Sequence, residues 1–195
     1  MWIFIISLFL IILTHELAHL IVAKMVGCSV LVFSIGFGKP LFKKKIGDTV
    51  YQLCPILLGG YCKLKDELNY SKSKYAFTNL RYCKKLAISL AGVTTNIILG
   101  LLALLIFNIL NSNINIYFLN FGIISLVLGI SNLLPIPALD GSYPILVWLE
   151  KIYGKKKGYS IMQKMCQIGF ILLMLLNVLF FIGFSIYLFL GRIAR

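Results

Sequence analysis

Acidic residues are few in this 195-residue sequence: six Asp and Glu stand against 19 Lys and Arg, a formal net charge of +13. Charged residues of both signs make up only 13% of the chain, about half the share of a soluble globular domain. Cysteine is limited to Cys28, Cys54, Cys62, Cys83 and Cys166, an odd number without a C-x-x-C pair. That pattern excludes a disulfide framework and a thiolate metal site, and the five read as reduced structural thiols on or near the cytoplasmic side. Histidine is scarcer still, with two residues in the whole chain.

Apolar residues fill the room left by charge. They make up 60% of the sequence, and the mean hydropathy is +0.95. A soluble domain averages roughly 45–50% apolar, so disordered, collagen-like and secreted disulfide-rich classes are excluded along with water-soluble ones. The expected class is an all-α polytopic membrane protein forming one domain over residues 1–195. A basic balance can signal nucleic-acid binding, but here the cations lie between long apolar stretches, the positive-inside pattern. The expected surroundings are therefore a lipid bilayer and no nucleic acid.

Four spans are expected, at about residues 1–22, 86–110, 117–134 and 161–190. The first would be about 33 Å long as a helix and has no Lys or Arg ahead of its apolar core, so it reads as a retained span rather than a signal peptide. Twelve of the 19 cations fall between Lys24 and Lys85, whereas residues 111–120 carry no charge. Both termini are thus expected outside. Between the first two spans, residues 30–64 hold short strand-like runs broken by Gly and Pro: Thr49–Cys54, Pro55–Leu58, Gly59–Leu64. Backbone at membrane depth must be paired, which predicts a small re-entrant β-hairpin or sheet there.

The two histidines are His15 and His19, with Glu16 beside the first: H-E-x-x-H on a helix. Residues i and i+4 share one face, so both imidazoles can bind one Zn²⁺ while the Glu reaches a water there. If they were ordinary core histidines, Glu16 would be a carboxylate within hydrocarbon, costing about 2.5–3.5 kcal/mol if unpaired. A catalytic zinc usually takes three protein ligands. No third His exists, and Asp48, Asp66, Glu67, Asp140 and Glu150 are the carboxylates remaining. Asp140 stands out: it follows Pro135 and Pro137, which stop the third span, and precedes Gly141, which permits a tight turn. It can be presented at the depth of His19, although a turn Asp at a helix end is the simpler alternative.

These segments resemble the site-2 proteases, intramembrane zinc metalloproteases, and within them the bacterial branch containing the regulator of sigma-E protease. The resemblance rests on HELAH in the first span and on NLLPIPALDG after the third. FSIGFGKPLFKKK, PILLGGYCKLKDE and AFTNLRYCKKLAISLAGVTTN extend it over most of the first 141 residues. It implies that His15, His19 and Asp140 are zinc ligands, one ion per chain, and that Glu16 is the general base and acid near the cytoplasmic face. Asn96 corresponds to a second-span asparagine thought to engage substrate, and Gly59-Gly60-Tyr61 to a re-entrant hairpin that adds an edge to an extended substrate. Val93 replaces the proline usual after Gly92. The PDZ domains that relatives carry between the second and third spans, and the CBS domain of another branch, have no counterpart in this sequence.

Small residues recur at Gly92, Asn96 and Gly100, and at Gly122, Ser125, Gly129 and Asn132, spacings that let membrane helices approach closely. Asn96 and Asn132, as polar groups in a span, are also expected at the site. The function expected is cleavage of transmembrane segments in single-pass membrane proteins or signal-peptide-like peptides, as in regulated intramembrane proteolysis. The rivals are a membrane metal-ion transporter or sensor and a catalytically inactive substrate-binding homologue. A transporter would need polar groups continuing to the external face, where this chain offers few beyond small hydroxyls and asparagines.

Overall fold

The structure, a computed structural model, describes residues 2–67, 73–109 and 115–193. Four helices and a four-stranded sheet follow one another as α1 (Trp2–Met25), β1 (Val30–Phe37), β2 (Phe42–Ile46), β3 (Thr49–Leu53), β4 (Ile56–Leu64), α2 (Tyr82–Ile109), α3 (Asn115–Asn132) and α4 (Tyr143–Ile193). One 3₁₀ turn, Phe77–Asn79, precedes α2 and another, Asp140–Ser142, leads into α4. Among the described residues, three helical segments are long and apolar enough to cross a membrane: Phe4–Met25, Tyr82–Ile109 and Asp140–Leu176. Ile116–Asn132 is a shorter apolar helix. The architecture is that of a polytopic membrane protein.

Helix α1 is apolar nearly all round outside its H-E-x-x-H turn, as a helix packed on protein on one face and hydrocarbon on the other must be. Phe4, Ile6, Leu10, Leu17 and Ile21 face outward, whereas Ile11, His15 and His19 form a buried stripe at four-residue spacing. The inward face of α2 carries Lys85, Ile88, Gly92, Asn96, Gly100 and Ala103. Helices α2 and α3 meet at glycines: a Cβ on Gly100 would stand 2.6 Å from Leu126 Cγ, and one on Gly122 3.1 Å from the Gly100 carbonyl. The Ser125 hydroxyl donates to the Asn96 carbonyl at 2.7 Å across that contact, a close approach of the kind small residues permit.

The strand-like runs of residues 30–64 assemble as one sheet in the order β2-β3-β1-β4. Strands β2 and β3 form the tight hairpin, β3 lies parallel to β1, and β4 runs antiparallel to β1 with Ile35 opposite Gly60. Gly59, Gly60 and Tyr61 are therefore interior residues of β4, and their partner is β1 rather than a neighbouring hairpin strand. Strand β2, with Lys43, Lys44 and Lys45, is exposed throughout, and charge on an outer strand discourages further pairing. Strand β4 is the other edge of the sheet and packs against α1.

Residues 141–160, between the third and fourth expected spans, are largely helical. Helix α4 begins at Tyr143 and is broken at Gly154 (φ 76°, ψ 162°) into arms 143–153 and 155–193. Leu146 and Leu149 on the first arm and Tyr159 and Met162 on the second join Leu20, Phe33 and Ile88 in the core. Of the uncharged run 111–120, residues 111–114 lie outside the described residues, and α3 starts at Asn115.

Candidate metal centre

His15 and His19 lie one turn apart on the inner face of α1, both buried, with their Nε2 atoms 3.3 Å apart. His19 Nδ1 stands 2.8 Å from the Ile88 carbonyl of α2. A carbonyl can only accept, so this nitrogen carries the proton and Nε2 keeps its lone pair toward His15.

Asp140 comes to the pair from the far side of α3. Pro135 and Pro137 end that helix, and Ala138 turns the chain at φ 83°. At Gly141 a side chain would collide with the Leu133 carbonyl, so only glycine allows this return. Asp140 Oδ2 arrives 3.1 Å from His15 Nε2 and 3.3 Å from His19 Nε2. Nitrogen and oxygen donors about 2.0–2.1 Å from a tetrahedral ion stand about 3.3–3.4 Å from one another. Separations of 3.1, 3.3 and 3.3 Å match that triangle within a few tenths of an ångström. Asp140 Oδ2 is buried and accepts no hydrogen bond although it stands beside two imidazole nitrogens, an arrangement that a cation between them resolves. Among the described residues this is the one group of three His, Cys, Asp or Glu side chains close enough to hold a metal ion.

Helix α2 and strand β4 wall the centre closely. A Cβ on Gly92 would lie 2.5 Å from Nε2 of both His15 and His19, and one on Gly60 would lie 2.8 Å from Glu16 Cγ. The β4 backbone thus runs directly over Glu16. Together these groups line a cavity of about 550 Å³. All nine residues singled out from sequence reach it: His15, Glu16, His19, Asp140, Asn96, Asn132, Gly59, Gly60 and Tyr61. Asn96 is 1% exposed, and its Oδ1 has no hydrogen-bond partner. Tyr61 is steadied by the Gln52 amide, which donates to its hydroxyl at 2.9 Å, and by stacking on Phe37.

Sequence reasoning passed over Glu67, Cys62 and Tyr143, which also line the cavity. Glu67 stood among the available carboxylates without a signal to raise it above the rest. Its Oε2 accepts from the Leu64 N–H at 3.4 Å, and burial raises its pKa to about 7. Burial also pushes the Cys62 thiol up.

The model of peptidase family M50 matches residues 3–113 and 108–176, most of the chain. The chain belongs to peptidase family M50. Among M50-like relatives, a Neisseria meningitidis protein named "Putative zinc metalloprotease" is 43% identical over 103 residues, covering 51% of this chain and 23% of its own length. A Borreliella burgdorferi protein of the same name is 41% identical over 104 residues, 48% of this chain and 24% of its own. The chain spans about a quarter of the length of these curated relatives. The solved site-2 protease of Methanocaldococcus jannaschii superposes with a TM-score of 0.55 at 22% identity, covering 93% of this chain and 68% of the other. At that identity the likeness establishes a shared fold alone.

Proposed function

We propose that this chain is an intramembrane zinc endopeptidase that cleaves transmembrane segments of single-pass membrane proteins or signal-peptide-like peptides. The observation that carries the reading is the donor triangle of His15, His19 and Asp140, with Glu16 beside it on α1. Those three residues would hold one zinc ion per chain, which when bound polarises a carbonyl and lowers the pKa of water.

The remaining steps fall to the chain itself. Glu16 takes the proton from the attacking water and delivers it to the leaving nitrogen, a role geometry permits because it neighbours His15 in the same cavity. A transmembrane substrate hides its carbonyls in i→i−4 bonds and has to unwind before attack. Edge strand β4 can take the unwound segment by strand addition, supplying hydrogen bonds in place of those lost. Asn96 Oδ1, buried without a partner, is an acceptor for a substrate N–H, and Asn132 faces the same space. The preponderance of cations between α1 and α2 supports a cytoplasmic location for the sheet, with both termini outside a bacterial plasma membrane and water reaching the site from the cytoplasm.

The test is cleavage of a labelled transmembrane peptide in liposomes by wild type and Glu16→Gln. Loss of the acid–base group should lower turnover by about 10²–10⁴-fold while zinc stays bound. Turnover near that of wild type would remove Glu16 from the role.

A further inference from the structure

Lys85 is a cation in the wrong place. It lies on the inward face of α2, 1% exposed, and takes no part in the chemistry above. Its Nζ is 3.2 Å from Glu150 Oε1 and donates to the Tyr159 hydroxyl at 2.6 Å. The Tyr82 hydroxyl donates to Glu150 Oε2 at 3.3 Å, and the Tyr143 hydroxyl donates to the Tyr82 carbonyl at 3.2 Å. Rings of Phe77, Tyr82 and Tyr159 stand 5.2–5.8 Å from the ammonium. Burying a charge pair is costly, and well-packed apolar residues commonly stabilise as well or better. A pair kept at such a place is better explained by what it positions than by the stability it adds.

The partners of Lys85 identify what is positioned. Glu150 lies on the first arm of α4, which begins three residues after Asp140, and Tyr159 lies on the second arm, beyond the Gly154 break. One ammonium therefore grips both arms. At this level they touch backbone to backbone: a Cβ on Gly158 would stand 3.0 Å from the Leu149 carbonyl. Along α2, Lys85, Ile88, Gly92 and Asn96 are spaced three, four and four residues apart and form one buried stripe. Ile88 fixes His19 through its carbonyl, Gly92 abuts both imidazoles, and Lys85 holds the arm behind Asp140.

We infer that Lys85 and Glu150, locked by Tyr159, are a positioning pair for the metal centre. They seat the Asp140-bearing arm on the same face of α2 that anchors His19, and so set the spacing between carboxylate and imidazoles. The inference rests on the metal-centre reading proposed above. It differs from a general role in stability because its effect is confined to the third ligand.

The experiment uses the full chain in detergent, with zinc affinity measured by chelator competition and amide exchange of residues 138–153 followed in metal-stripped protein. Lys85→Met/Glu150→Leu removes the pair while keeping apolar volume. It should melt close to wild type, bind zinc about 10–100-fold more weakly, as loss of an outer-shell partner does, and exchange faster at 138–142. Lys85→Arg, which keeps the charge, should retain affinity within about threefold. If the double variant does not fold, Glu150→Gln, which keeps shape and removes charge, is read by the same two measurements. Zinc affinity within about threefold of wild type together with unchanged exchange in the folded variant would overturn the inference, as would Lys85→Arg binding as weakly as the double variant. Wild type that binds no zinc would instead contradict the metal-centre reading, while exchange at 138–142 would still report on the pair.

Discussion

Gly92 shows how little slack the centre has. Any β-carbon there would stand 2.5 Å from the two imidazole nitrogens, closer than real atoms approach, and the α2 backbone cannot withdraw while Ser125 and Gly100 hold it against α3. Gly92→Ala should therefore displace the histidines and abolish zinc binding. Gly100→Ala, equally tight but facing Leu126, should keep zinc while destabilising the protein by about 1–3 kcal/mol. Metal analysis and thermal unfolding of the two variants separate these outcomes; zinc retained by Gly92→Ala would show that the wall is softer than described. At this scale the sequence was legible wherever chemistry resides in residue type and short spacing. His15, Glu16 and His19 declare themselves because i and i+4 share a helix face, and Asp140 because prolines and a glycine bracket it. Gly92 was visible only as one member of a small-residue repeat, since the contact that matters is with another helix. Lys85 and Glu150 were invisible as a pair: 65 residues separate them, and each resembles an ordinary topology charge or terminal acid.

Among the elements, strand β4 matters most for the proposed reaction. It combines an edge position in the sheet with a backbone that passes over Glu16 at Gly60. A proline in an edge strand is tolerated structurally but removes one N–H. Leu58→Pro should slow cleavage about three- to tenfold, the equivalent of one hydrogen bond worth about 0.5–1.5 kcal/mol, with zinc content unchanged. Parallel loss of zinc and activity would assign β4 to supporting the metal centre rather than to receiving substrate. The strand runs could be read from their Gly and Pro punctuation, but their pairing could not. The parallel alignment of β1 with β3 and the antiparallel alignment of β4 with β1 join residues far apart in sequence. Helix α4 was obscured differently. Lys151, Lys155, Lys156 and Lys157 mask the apolar face formed by Leu146, Leu149, Tyr159 and Met162, so a broken helix gives the impression of a basic loop followed by a span.

For the whole molecule, the outward faces of α1, α2 and α3 expose Phe4, Leu10, Ile98, Leu101 and Val127, among others, while His15, His19, Asn96, Lys85 and Glu150 are buried between the helices. That inversion of the water-soluble pattern is what 60% apolar composition with sparse charge requires. On the proposed reading it also accounts for Glu16, Asp140 and two histidines among apolar helices: they face one another and a shared cation rather than lipid. The central claim is that His15, His19 and Asp140 form one zinc site, and zinc per chain in gently purified protein tests it most directly. Wild type should carry about one equivalent, and His15→Ala/His19→Ala, folded by the same criteria, should carry none. A folded wild type devoid of zinc after purification in zinc-supplemented buffer, or a double variant that keeps its metal, would contradict it.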